Sequence, residues 1–313
     1  MSDWKILLTD GLKENGQSIL NTAAEVDDRT GIAADELLRV VQKYNALIVR
    51  GRTKITRQVI ETAPNLEVIG RAGVGVDNID LASAQAQGVT VVNAPVATTL
   101  AVAEHTIALM LALLRFIPRA DMTMKAGQWI KKQLLGEELH GKTLGIIGIG
   151  NIGSAVALRA GALGMQVLAY DPYVKEDEIR QRGAEPTALT DLYRGADIVS
   201  LHVPLSPETR GMVDGQALAH MKRGVRLVST ARGGVIDETA LLAAIESGQV
   251  AGAGLDVFAK EPPGLTALVA HPSVIATPHI GAQTEEAQAR TAEDIASEVL
   301  NALRCEPLRW KIV

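Results

Sequence analysis

Short apolar runs rich in β-branched residues alternate along the chain with stretches of helical period. Residues 5–10, 46–50, 66–70 and 89–93 read as four strands, with helix-compatible segments at 34–43 and 55–62 between them. This alternation predicts βαβ units on a parallel sheet. Residues 99–115, rich in Ala and Leu and apolar nearly all round, predict a long buried hinge or interface helix. A second series then follows at 143–148, 166–171, 196–201, 225–229, 252–257 and 274–277, and a helical stretch, 285–303, closes it. The pattern predicts two α/β domains of related shape.

Composition narrows the function. The 313 residues carry a net charge of −5 and only 3% aromatics, which argues against nucleic-acid binding by clustered cations or stacked bases. One cysteine, Cys305, excludes an intrachain disulfide and a Cys-rich zinc module. No metal-ligand motif is expected. The most apolar long stretch, 100–116, is broken by Glu104 and His105, so no membrane span is expected. The opening Met1-Ser2-Asp3-Trp4-Lys5 lacks the long apolar core of a leader, and a cytoplasmic protein is expected.

Two glycine loops follow strands. Gly148-Ile149-Gly150-Asn151-Ile152-Gly153 sits between a strand and a helix. Its glycines suit a tight turn, backbone approach to a pyrophosphate, and close helix packing. The helix start favours the anion. Asp171 closes the next strand, roughly 20 residues on, where a carboxylate accepts from a ribose 2′-hydroxyl and repels a 2′-phosphate. NAD is therefore the expected cofactor. The other loop, Gly70-Arg71-Ala72-Gly73-Val74-Gly75-Val76-Asp77-Asn78, breaks the fingerprint at Asn78. With Arg50, Arg52 and Lys54 it forms a basic rim suited to a small anionic substrate.

Three late strands end near Arg232, Glu261 and His279. Arginine can hold a carboxylate through two hydrogen bonds. Histidine exchanges a proton near neutral pH, and a glutamate beside it orients the imidazole. Of the other histidines, His202 follows a strand and could line the cofactor site, whereas His105, His140, His220 and His271 read as structural or surface residues.

These five ordered segments, with Ala231-Arg232-Gly233-Gly234, Gly254-Leu255-Asp256-Val257 and Thr277-Pro278-His279 beside the two glycine loops, resemble the D-2-hydroxyacid dehydrogenase family, most of all its D-3-phosphoglycerate branch. The resemblance implies two Rossmann-like doubly wound parallel-sheet domains with a cleft between them. Residues 1–97 plus 285–313 would bind substrate, and 98–284 NAD. It implies oxidation of a phosphorylated 2-hydroxy acid, with His279 as acid/base, Glu261 as its partner and Arg232 anchoring the carboxylate. Asp256 would lie near the nicotinamide, and Asn151 and Ile152 on the pyrophosphate. Thr99, Pro172, Val203, Pro204, Thr209, Thr230, Ala231 and Gly281 would line the cofactor. Arg50, Arg71 and Gly73 would face the substrate, and Val74 both ligands. A homodimer through the NAD domains is implied, as is the absence of an appended regulatory domain. Reduction of glyoxylate, hydroxypyruvate or another 2-keto acid is an alternative, and an NAD-sensing scaffold of the corepressor type is another.

Overall fold

A computed structural model describes residues 4–313. Residues 1–3, part of the stretch read for a leader, lie outside the described residues. The chain forms two units. One runs to Thr98 and resumes over Gln283–Val313, and the other is Thr99–Ala282.

The first unit carries five parallel strands: β1 (Lys5–Leu8), β2 (Glu25–Asp28), β3 (Ala46–Val49), β4 (Val68–Arg71) and β5 (Thr90–Asn93), in the order β2-β1-β3-β4-β5. Alternate strand residues enter two cores. Leu7, Leu47, Val49, Ile69 and Val91 fill one, and Ile6, Leu8, Ile48, Val68 and Val92 the other. A sheet covered on both faces needs unbroken apolar strands, which is why these runs stand out. β2 was not anticipated: its sequence Glu-Val-Asp-Asp suits an edge strand guarded by charge. The helix Glu285–Leu303 returns to this unit and buries Ile295, Ala296, Val299 and Leu300 in the second core. Beyond it, Trp310–Val313 run antiparallel to β5, with Ile312 donating to the Val91 carbonyl at 2.8 Å.

The second unit holds seven parallel strands: β6 (Thr143–Ile147), β7 (Gln166–Tyr170), β8 (Glu185–Pro186), β9 (Ile198–Leu201), β10 (Val225–Ser229), β11 (Val250–Leu255) and β12 (Val274–Ala276). Their order, β12-β11-β10-β9-β6-β7-β8, is the doubly wound order of dinucleotide-binding sheets, with its switch point between β6 and β9. The first sheet has the other common doubly wound order, switching between β1 and β3.

The helix Thr99–Arg115 forms as expected, but it is not buried all round. Ala103, Thr106, Met110 and Leu114 face the core, while Leu100, Glu104, Leu111 and Arg115 are exposed. It packs one face on the helix Asn151–Ala162 and on β11. No single helix among the described residues is long and apolar enough to cross a membrane. Thr99–Arg115 and Ile117–Lys125 reach that length only together, across a 64° bend.

Candidate active site

The glycine loop leaves β6 at the switch point. Gly148 has φ +89, and a Cβ there would press within 2.8 Å of the His202 carbonyl and Val203. Gly153 lies against the Gly148 carbonyl, which any side chain would overlap. Gly150 caps the helix Asn151–Ala162, and a Cβ on it would meet nothing within 4 Å. Asn151 is exposed and Ile152 half-buried in the first turn. Asp171 is tied to this loop. Its Oδ2 accepts from Ile149 N at 3.0 Å and its Oδ1 from Tyr173 N at 3.0 Å, with Pro172 exposed between. Arg182 donates to the Ile149 carbonyl from the other side.

His202 follows β9, with Nε2 2.9 Å from Ser200 Oγ and an enclosed Nδ1 that has no partner. Burial pushes its pKa down to about 4, so the ring is neutral at pH 7. Past Val203, Thr209 Oγ1 donates to the Pro204 carbonyl at 2.6 Å and closes that turn. Thr230 and Ala231 are buried after β10, the Thr230 hydroxyl 2.9 Å from Thr106 Oγ1. Thr99 opens its helix with an enclosed, unpartnered hydroxyl.

Arg232 is half-buried, and its Nη1 donates to the Ala231 carbonyl at 2.7 Å. Gly233 lets the 258–261 loop press close, because a Cβ would overlap the Phe258 carbonyl. That loop is held by two carboxylates. Glu238 accepts from Ala259 N at 2.6 Å, and Glu261 Oε1 accepts from Phe258 N at 3.1 Å. Glu261 Oε2 lies 2.8 Å from His279 Nδ1. A carboxylate only accepts, so Nδ1 carries the proton and Nε2 is left for chemistry. Burial raises the Glu261 pKa, but the His279 ring and the Phe258 amide outweigh it and hold the carboxyl below its ordinary range.

Asp256 is buried at the end of β11. Its Oδ1 accepts from Thr277 Oγ1 at 2.6 Å and Ile280 N at 2.9 Å, and its Oδ2 from Gly281 N at 2.8 Å. Burial opposes ionisation, yet contacts from His105, Thr277 and the two amides hold the carboxyl below its ordinary range. The sequence reading associated Asp256 with the cofactor alone and did not anticipate this grip on the loop that follows His279.

In the first unit, Arg71 Nη1 donates to the Ala72 carbonyl at 2.8 Å, and the guanidinium folds over Gly73, where φ is +143. Asn93 Nδ2 donates to the Val74 carbonyl at 2.7 Å and fixes that loop. Arg50 is half-buried, and burial lowers its pKa against the pull of Asp10. Arg52 departs from its place in the basic rim. It donates to the Thr9 carbonyl at 2.7 Å and the Ile32 carbonyl at 3.1 Å and pairs with Asp10 at 3.0 Å, so it braces the sheet end.

Residues 107–281 match the family described as D-isomer specific 2-hydroxyacid dehydrogenase, NAD binding domain. The chain belongs to the D-isomer specific 2-hydroxyacid dehydrogenases. A D-3-phosphoglycerate dehydrogenase of Synechocystis is 45% identical over 97% of this chain and 55% of its own length. The chain thus spans little more than half the length of that relative. Among solved structures, a glyoxylate reductase from Paecilomyes thermophila superposes with a TM-score of 0.92 at 30% identity, covering 100% of this chain and 99% of its own. The Aquifex aeolicus D-lactate dehydrogenase, crystallised with NAD and lactic acid, gives 0.83 at 32% identity, covering 96% of each chain.

The second unit belongs to this NAD-binding domain family, and its residues fit that cofactor. The open space at Gly150 lies at the start of the helix Asn151–Ala162, whose first amides have no intrahelical acceptor, and His202, whose backbone abuts Gly148, has an enclosed Nδ1 without a partner. Each Asp171 oxygen keeps one lone pair for a ribose hydroxyl beyond the amide it already accepts. Asp171→Ala should therefore reduce the preference for NAD over NADP by roughly 10-fold or more, read as the ratio of kcat/KM values. An unchanged ratio would place Asp171 away from the ribose. Sequence reasoning missed Glu238 and Arg182, whose partners lie on other elements and which no motif marks, and it gave Thr277, inside the Thr277-Pro278-His279 segment, no role of its own.

Proposed function

We propose that this chain oxidises D-3-phosphoglycerate to 3-phosphohydroxypyruvate with NAD, the entry reaction to serine synthesis. The observation that carries the chemistry is the His279–Glu261 contact of 2.8 Å, which fixes one imidazole tautomer. In this reading Arg232 takes the substrate carboxylate through its planar fork. His279 Nε2 removes the C2 hydroxyl proton, and Glu261 stabilises the imidazolium that forms. NAD, when bound, would supply the acceptor for the C2 hydride. Oxidation releases one hydride and one proton, and each has a named acceptor.

The identity to phosphoglycerate relatives supports the phosphorylated substrate. Arg50 and Arg71 supply cations for the phosphate, with Gly73 and Val74 beside them. In this reading the first unit binds substrate and the second NAD. Exposed Ile117, Met122, Met124, Trp129 and Leu135 support a homodimer through the NAD domains. A cytoplasmic location fits this reaction.

The test is NADH consumption with 3-phosphohydroxypyruvate beside hydroxypyruvate and glyoxylate. A phosphate held by two guanidiniums should raise kcat/KM by roughly 100-fold or more. Equal kcat/KM with and without the phosphate would discard that substrate and leave a reductase of unphosphorylated 2-keto acids. No turnover of any of them, with NAD still bound, would favour the scaffold.

A further inference from the structure

His105 belongs to a hydrogen-bonded chain that ends on the peptide units beside His279. It lies on the helix Thr99–Arg115, and its side chain is only 19% exposed. Its Nε2 is 3.1 Å from Thr277 Oγ1 and 3.4 Å from Asp256 Oδ1. Proton counting sets the direction. Asp256 only accepts, so the single Thr277 hydroxyl proton goes to Asp256 Oδ1, 2.6 Å away. Thr277 Oγ1 then has only lone pairs for His105, and Nε2 must carry the proton of that contact.

Asp256, fixed in this way, accepts from Ile280 N at 2.9 Å and Gly281 N at 2.8 Å. These are the first two amides after His279, whose φ of +53 is left-handed. A non-glycine residue keeps that conformation where its surroundings hold it. The fit has little slack, because a Cβ on Gly281 would meet Asp256 Oδ2 at 3.0 Å and the His105 ring at 3.7 Å.

We propose that His105 is a positioning residue for proton transfer: through Thr277 and Asp256 it holds the 279–281 backbone, and so the aim of His279 Nε2. This rests on the reading of His279 as the acid/base. His105→Leu removes the donor and keeps apolar bulk. His105→Gln returns an N–H to the place of Nε2. Because small misplacements at a reacting centre cost large factors, His105→Leu should lower kcat roughly 10- to 100-fold, with KM and NAD affinity changed less than about 3-fold. His105→Gln should recover most of that loss. A purely structural role would lower thermal stability in both variants without separating kcat from KM. A His105→Leu kcat within about 2-fold of the parent, or no recovery with Gln, overturns the proposal.

Nitrogen-15 spectra of the ligand-free protein at pH 7 supply a readout independent of turnover. His105 should be protonated at Nε2, and a bare Nε2 overturns the chain of bonds. If the parent protein turns over no 2-hydroxy acid, the activity reading fails, while this spectrum still decides the hydrogen-bond chain.

Discussion

Replacing His279 with alanine should lower kcat roughly 10²- to 10⁴-fold, the usual contribution of a positioned acid/base. The substitution removes the proton acceptor and also the left-handed histidine held between Glu261 and the Asp256-bound amides. The glycine loop is built from separate residues, so NAD affinity should stay within about 3-fold, because distant sites without shared partners act independently. Steady-state kinetics and NADH fluorescence titration together separate the two. A kcat loss below about 3-fold would remove His279 from proton transfer. Glu261→Gln should cost less, because an amide oxygen can still accept from Nδ1 but no longer opposes the imidazolium charge.

The strands most legible in the sequence are those whose apolar residues fill two cores at once. Residues 46–49 are buried at all four positions, so 46–50 could hardly be misread. β2 and β8 escaped because each is the last strand at a sheet edge: one is acidic, and the other has two residues, one of them proline. The glycine fingerprint was legible because it encodes backbone geometry, and a positive φ at Gly148 shows in the residue type. Arg52 was misread for the opposite reason. A sequence displays a charge but not the Thr9 and Ile32 carbonyls that occupy it. His105 escaped likewise, since its partner Thr277 lies 172 positions away and an apolar helix around a histidine reads as core.

Glu298→Ala should destabilise the first unit by about 2–3 kcal/mol, the scale of charge-assisted hydrogen bonds lost at a buried acceptor. Glu298 has a fully buried side chain, yet it lies on the apolar stripe of the helix Glu285–Leu303, seven residues past Thr291 and three past Ile295. A carboxylate there must be fully engaged to be tolerated. It accepts from Arg309 N at 2.9 Å, Arg309 Nε at 3.1 Å and Trp310 N at 3.1 Å, and Arg309 also stacks over the Trp310 ring at 4.2 Å. These bonds fasten the strand beside β5, so the loss should be local. If the opening is confined to that strand, exchange at the Ile312 and Val91 amides should quicken roughly 30- to 150-fold. Arg309, 56% exposed, keeps its charge in water after the substitution, so the cost falls below that of stranding a buried ion. Unchanged exchange at Ile312 and Val91 would mean that the strand is held by its backbone ladder alone, and that the buried carboxylate serves the helix.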